Sequence, residues 1–174
     1  MELIKLDMTF LIAQLIGAVA FIILIFSFQQ DDAKKLFRYQ IASSLFFSIQ
    51  YLLLNAMSGF FINIAGLFRN YVFSKCDKKV PFIWIFIVIF IMLLIILVSF
   101  DGLHSILPII AGIIYTIELG YKNLKFIRIA EIISCILFII YNIYVYAFVG
   151  IVSSIIELAF GLIAIYRFDI KRDK

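Results

Sequence analysis

The sequence predicts an all-α integral membrane protein. Seven transmembrane helices are expected, arranged as two parallel three-helix repeats joined by a linker helix. Three observations carry that fold class. The 174 residues are 66% hydrophobic and only 15% charged, whereas a soluble domain is about half apolar and roughly a quarter charged. Asp, Glu, Lys and Arg are absent from residues 8–30, 39–68 and 80–100, and a bilayer helix needs roughly 17–25 apolar residues. A spacing of small, polar and basic residues recurs in the two halves. A transmembrane β-barrel would instead show alternating segments of about ten residues, and the sequence has none.

The helices are placed at 8–28, 36–54, 58–74, 80–99, 103–119, 124–144 and 148–167. The first apolar run is longer than a signal-peptide core and has only Lys5 as its basic flank, so it reads as a retained span. The run 39–68 is too long for one comfortable span. It breaks at "NAMSG" (55–59), where Asn, Ser and Gly supply turn chemistry. A second break is expected near "YAFVG" (146–150). The fifth span is short and carries Pro108, the candidate hinge. Residues 1–78 then form the first repeat, 79–100 the linker helix, and 101–174 the second repeat with a basic tail.

Charge fixes the direction. Cytoplasmic loops collect Lys and Arg. With seven spans, fourteen of the fifteen basic residues fall on one side and Lys5 alone on the other. A six-span chain would scatter them. The expectation is an N-terminus outside and a C-terminus in the cytoplasm. Tyr51, Tyr144 and Tyr146 near the outer hairpins fit an aromatic belt, and Trp84 an interfacial anchor. The pI near 9.1 does not point to nucleic acid, because the bases are dispersed over short loops. Cys76 and Cys135 are the only cysteines and His104 the only histidine. No disulfide framework, metal site or cofactor is expected.

Lys35, Arg38, Ser44 and Tyr51 share their spacing with Lys125, Arg128, Ser134 and Tyr141, 90 residues later. With one residue inserted in the second hairpin, Gly59, Asn63, Gly66 and Asn70 then correspond to Gly150, Ser154, Glu157 and Gly161 at an offset of 91. That set follows i, i+4, i+7, i+11, one face of a helix. Three spans reverse the chain's side, so a lone fourth span is needed for the second triplet to start in the original direction. Transporters built from parallel repeats place their site at the repeat interface near the midplane.

The segments "AQLIG" (13–17), "SFQQ" (27–30), "KKLFRYQIASSLFFSIQYLLLNAMSGFFINIAGLFRN" (34–70) and "IRIAEIISCILFIIYNIY" (127–144) resemble the YgjV-type bacterial inner-membrane proteins. The likeness covers nearly the whole chain and implies a bacterial inner-membrane location. The three-one-three plan also resembles the SWEET-type sugar transporters of the PQ-loop superfamily. There an N-x-x-G element on the third helix of each triplet places its asparagine in the sugar pocket. Asn63-Ile64-Ala65-Gly66 matches it. The second copy departs, with Ser154 for the asparagine and Glu157 for the glycine. Gln14 is preceded by Ala13 rather than the proline of that family.

Glu157 lies in the middle of span 7, about 15 Å from either end at 1.5 Å per residue. Intramembrane carboxylates are costly and usually face a cavity or a partner. Glu157 is therefore the first candidate for solute binding and proton coupling. The alternative is a neutral glutamic acid hydrogen-bonded across the bundle. Asn63, with two donors and two acceptors, suits a hydroxyl-rich or zwitterionic solute, or else glues helices together. Ser154, Gln14, Tyr141, Asn142 and Gln50 complete the candidate substrate-binding set. Ser44, Ser134 and the Ala13–Gly17 pair read as close packing. Glu131, one turn after Arg128, could pair with it.

No enzyme signature is present: no nucleophile with a partner base, no H-x-x-x-H, no phosphate-binding glycine loop. The expected function is transport of a small polar solute (a sugar, an amino acid or a related metabolite) by alternating access, with proton coupling through Glu157. The alternative is a non-transporting scaffold or sensor whose polar groups only pack helices. A channel is less favoured, since the polar stripe is interrupted. The partners are the lipid bilayer and the solute. One chain or a homo-oligomer are both open.

Overall fold

A computed structural model describes residues 8–28, 33–76, 79–121 and 124–166. Among these, seven α-helices follow one another: α1 (Met8–Phe28), α2 (Ala33–Leu53), α3 (Met57–Ser74), α4 (Phe82–Ser99), α5 (Ile106–Tyr121), α6 (Leu124–Tyr144) and α7 (Phe148–Ile165). A 3-10 turn, Leu103–Ser105, leads into α5. All seven expected helices are present, with ends shifted by three residues or fewer. Lys5 and the basic tail from Arg167 lie outside the described residues, as does the side chain of Arg128, so the proposed Arg128–Glu131 pair is not described.

Length and apolarity alone single out three stretches able to cross a membrane: Met8–Phe26, Phe82–Ser99 and Leu103–Gly120. Ile129–Tyr144 and Phe148–Ile163 are apolar but shorter. Helices α2 and α3 meet neither description, because they carry much of the chain's polar lining. Their polar groups turn inward. Gln40, Ser43, Ser48, Gln50, Ser58, Arg69 and Asn70 are all buried, while Leu45, Leu52, Ile64, Phe68 and Tyr71 are exposed. This inversion of soluble-protein patterning is what lipid demands.

The helices close into a ring. Helix α2 packs between α1 and α3, α3 meets α5, α6 packs between α5 and α7, and α7 returns to α1. Helix α4 stands outside the ring on α3 and α5. Its buried residues Ile85, Val88, Met92, Ile95 and Ser99 recur every three or four positions, one helical face. Val88, Met92 and Ile95 pack with Ile62, Ala65 and Ile109. The opposite face of α4 (Phe82, Phe86, Phe90, Leu93, Leu97) is exposed hydrocarbon. Trp84 lies in its first turn, 37% exposed.

Two helical hairpins, α2–α3 and α6–α7, turn at the same end of the ring. Each ends its first helix in the same way. Ala56 N–H donates to Tyr51 C=O (2.8 Å) and Asn55 N–H to Leu52 C=O (3.1 Å). Ala147 N–H donates to Asn142 C=O (3.0 Å) and Tyr146 N–H to Ile143 C=O (3.4 Å). This is the Schellman pattern, with a left-handed residue after the helix: Asn55 has φ 55° and Tyr146 φ 56°. Asn tolerates that conformation; a bulky side chain there costs roughly 1–2 kcal/mol.

These turns correct the expected register. Tyr51 corresponds to Asn142, Asn55 to Tyr146 and Ala56 to Ala147, each 91 residues apart. Further down, Ser43 Oγ donates to Ala20 C=O (2.9 Å) and Ser134 Oγ to Ala111 C=O (3.3 Å), both members again 91 apart. The offset is 91 on both sides of the hairpins, with no inserted residue. Matching identical letters had paired Ser44 with Ser134 and Tyr51 with Tyr141. At an offset of 91 Ser134 pairs with Ser43, an identical residue, and Tyr51 with Asn142, a different one. Tyr51 also leaves the aromatic belt: it is 3% exposed, whereas Tyr144 and Tyr146 are 62% and 50% exposed.

Candidate functional site

The ring encloses a hollow of about 170 Å³ lined from α1, α2, α3, α5, α6 and α7, with Met92 of α4. Of its 22 lining residues, eighteen fall into nine pairs 91 apart. Leu24 pairs with Tyr115, Gln40 with Glu131, Ser43 with Ser134, Ser44 with Cys135, and Phe47 with Phe138. Tyr51 pairs with Asn142, Ile62 with Ser153, Asn63 with Ser154, and Gly66 with Glu157. Only Arg69, Asn70, Met92 and Gly112 lack such a counterpart in the wall.

Asn63, Ser154 and Glu157, near the middles of α3 and α7, all line the hollow. Asn63 Nδ2 donates back to Gly59 C=O at 2.8 Å. Ser153 Oγ similarly donates to Gly150 C=O at 3.0 Å. Of the remaining candidates, Asn142 also lines the hollow.

Gln14, Tyr141, Gln50 and Pro108 do not. Gln14 fastens α1 to the α6–α7 turn: its Nε2 donates to Tyr146 C=O (3.0 Å) and its Oε1 accepts from Val149 N–H (3.2 Å). Tyr141 is fully buried and braces the start of α3. Its hydroxyl accepts from Gly59 N–H (2.8 Å) and Ser58 Oγ (3.0 Å), satisfying an N–H that the first turn of a helix leaves free. Gly59 permits this approach, because a Cβ there would lie 2.8 Å from both the Tyr141 hydroxyl and the Tyr51 ring. Gln50 is fully buried against Gly17, its amide without a partner. Pro108 is the third residue of α5, in the first turn, where proline removes no intrahelical bond. The expected hinge residue therefore sits where the 3-10 turn passes into α5, not in the middle of the helix.

Bonds and ring contacts bridge the end of the hollow nearest the hairpins. Tyr51 Oη donates to Asn142 Oδ1 at 2.7 Å, joining α2 to α6. The Tyr51 and Tyr141 rings lie 5.7 Å apart, and His104 stacks on Tyr141 and Tyr144 at 6.5 and 5.5 Å.

The opposite end holds a polar group that the sequence did not reveal as a site. Arg69 is 5% exposed, five residues inside the end of α3. Its Nε donates to Asn70 Oδ1 at 3.1 Å, and its guanidinium carbon lies 4.6 Å over the Tyr115 ring. Gln40 Nε2 donates to Tyr115 Oη at 3.3 Å. Glu131 lines the same wall. Glu118, one turn beyond Tyr115, is 1% exposed with its Oε2 unpartnered. The sequence carried a usable signal: Arg69 follows Gly66, and Glu118 follows Tyr115, by three residues, the spacing of one helical face. Arg69 had been grouped with the loop bases.

Among the described residues no cluster of three metal-ligating side chains forms. A family model described as a bacterial inner membrane protein, Imp-YgjV, matches residues 11–172. No curated protein and no solved structure matches the chain.

Proposed function

This chain belongs to the Imp-YgjV family of bacterial inner membrane proteins, and from that premise we propose that it carries a small polar solute across the inner membrane by alternating access. The two moving halves are α1–α3 and α5–α7, parallel repeats in a SWEET-like plan with α4 as the linker. The basic end faces the cytoplasm and the hairpin end faces outward, so that the N-terminus is outside.

One observation supports the reading above the others: the wall of the hollow is built from positions 91 apart in the two halves. Helices duplicated only for packing have no need to converge on open space. Transport sites in parallel-repeat folds sit at this interface. The Tyr51–Asn142, Tyr141–Ser58 and Gln14–Tyr146 bonds all tie one half to the other at the hairpin end. They act as an outer gate, shut in this conformation. Glu157 at mid-depth is the group that couples solute to a proton.

Uptake into proteoliposomes over a panel of sugars, amino acids and small metabolites tests the reading. Saturable flux of at least one solute is expected. Glu157→Gln keeps the fold and abolishes the pH dependence of that flux. No flux for any solute in correctly inserted protein contradicts transport; unchanged pH dependence in Glu157→Gln removes the coupling role alone.

A further inference from the structure

The paired frame of the hollow is symmetric, but its charge is not. Glu157 corresponds to Gly66 at an offset of 91, and Glu131 to Gln40. Arg69 corresponds to Phe160, which is 62% exposed and away from the hollow. The first half therefore supplies the wall's cation and the second half its two carboxyl groups. Glu131 and Glu157 are near enough to interact electrostatically.

Arg69 is aimed at the space. A Cβ built on Gly66 would lie 3.8 Å from Arg69 Nη2 and 4.0 Å from Ser44 Oγ, so the guanidinium folds back along α3 toward mid-depth. Nε is taken by Asn70 and one face by Tyr115. The remaining N–H donors of a guanidinium form a fork suited to a carboxylate. Glu118 interacts with Arg69 but is not part of the wall. Gln40, 7% exposed, lines the hollow with its Oε1 unpartnered, an acceptor awaiting a donor.

We propose that the hollow selects a small zwitterion, an α-amino acid, with Arg69 holding its carboxylate and Glu157 and Glu131, assisted by Gln40, holding its ammonium group. The volume agrees: about 170 Å³ is close to the roughly 150 Å³ engineered cavity that takes up benzene, room for a small amino acid. The proposal narrows the solute class of the transport reading, on which it rests for its purpose, but it is tested by binding alone.

The experiment uses the full-length protein in lipid nanodiscs and measures binding calorimetrically. The probes are the twenty common amino acids, with the carboxyl-capped amide and the N-acetyl form of each binder, and D-glucose. At least one free amino acid is expected to bind. Each capped form should bind roughly tenfold to a hundredfold more weakly, the size of one charge-assisted hydrogen bond. In Arg69→Gln the preference for the free acid over its amide disappears, while the preference over the N-acetyl form persists. Should that variant not fold, the capped series on the unaltered protein already decides. A capped form binding as tightly as the free amino acid overturns the proposal. Glucose binding with every amino acid silent overturns it too, and leaves the transport reading standing. Silence of all probes, together with absent flux in the wider panel, overturns both.

Discussion

The two ends of the hollow are built on opposite principles. At the hairpin end, Tyr51, Asn142, Tyr141, Ser58 and Gln14 find partners at 2.7–3.2 Å across the two halves. At the basic end the bridges are looser, one hydrogen bond of 3.3 Å and one cation over a ring, and Gln40 Oε1 and Glu118 Oε2 lack partners; at the hairpin end the Gln50 amide, packed on Gly17, is the exception to the satisfied network. A satisfied polar network stabilises and fixes a conformation, whereas a partly satisfied one is costly. The first end therefore holds this state together. The second keeps polar capacity in reserve, which a solute can use at the expense of stability.

If that division is right, substitutions at the two ends should separate stability from function. The largest loss is expected for Gly59→Val, whose side chain must displace Tyr51 and Tyr141; overpacking of this kind costs about 1–3 kcal/mol, and the close approach here places it at the upper end. Tyr141→Phe follows, because it leaves the buried Gly59 N–H unpaired, at about 1–3 kcal/mol. Tyr51→Phe, which removes one bond to Asn142, should cost about 1 kcal/mol. Unfolding in detergent with increasing denaturant ranks the three. At the basic end, Gln40→Leu should leave stability within about 1 kcal/mol of the parent, since it removes an unpaired buried acceptor together with one long hydrogen bond to Tyr115. It should weaken solute binding all the same. A Gln40→Leu protein as destabilised as Tyr141→Phe would erase the contrast.

How much of this was legible in the sequence follows from which property each level of structure depends on. Spans α1 and α4 are long hydrocarbon runs, and the bilayer dictates them directly. The hairpins were legible from Asn55 and Gly59, because a left-handed turn and a close approach demand particular residues. Asn63, Ser154 and Glu157 were legible because polar groups at helical spacing in an apolar chain must share a face. Arg69 was not. A basic residue five positions inside a helix end counts toward the charge of that end whether its side chain reaches out to the loop or back into the bundle, and spacing alone does not say which. Tyr141 and Gln14 were assigned to the pocket on polarity alone, but a side chain's partner across the bundle depends on packing that periodicity does not encode. The register of 91 was hidden because neighbouring residues mislead: Ser44 follows Ser43 and Tyr141 precedes Asn142, so identical letters also match at 90.

Cys135, a native thiol in the wall of the hollow, offers the most direct measurement. In a Cys76→Ser background it is the chain's one cysteine, and a membrane-impermeant thiol reagent can be applied from either face of oriented vesicles. Alternating access requires that Cys135 react from the basic side and, more slowly, from the hairpin side. Tyr51→Ala, which removes the Tyr51–Asn142 bond of the proposed outer gate, should speed only the latter. A thiol that stays silent from the hairpin side in both proteins would contradict the account.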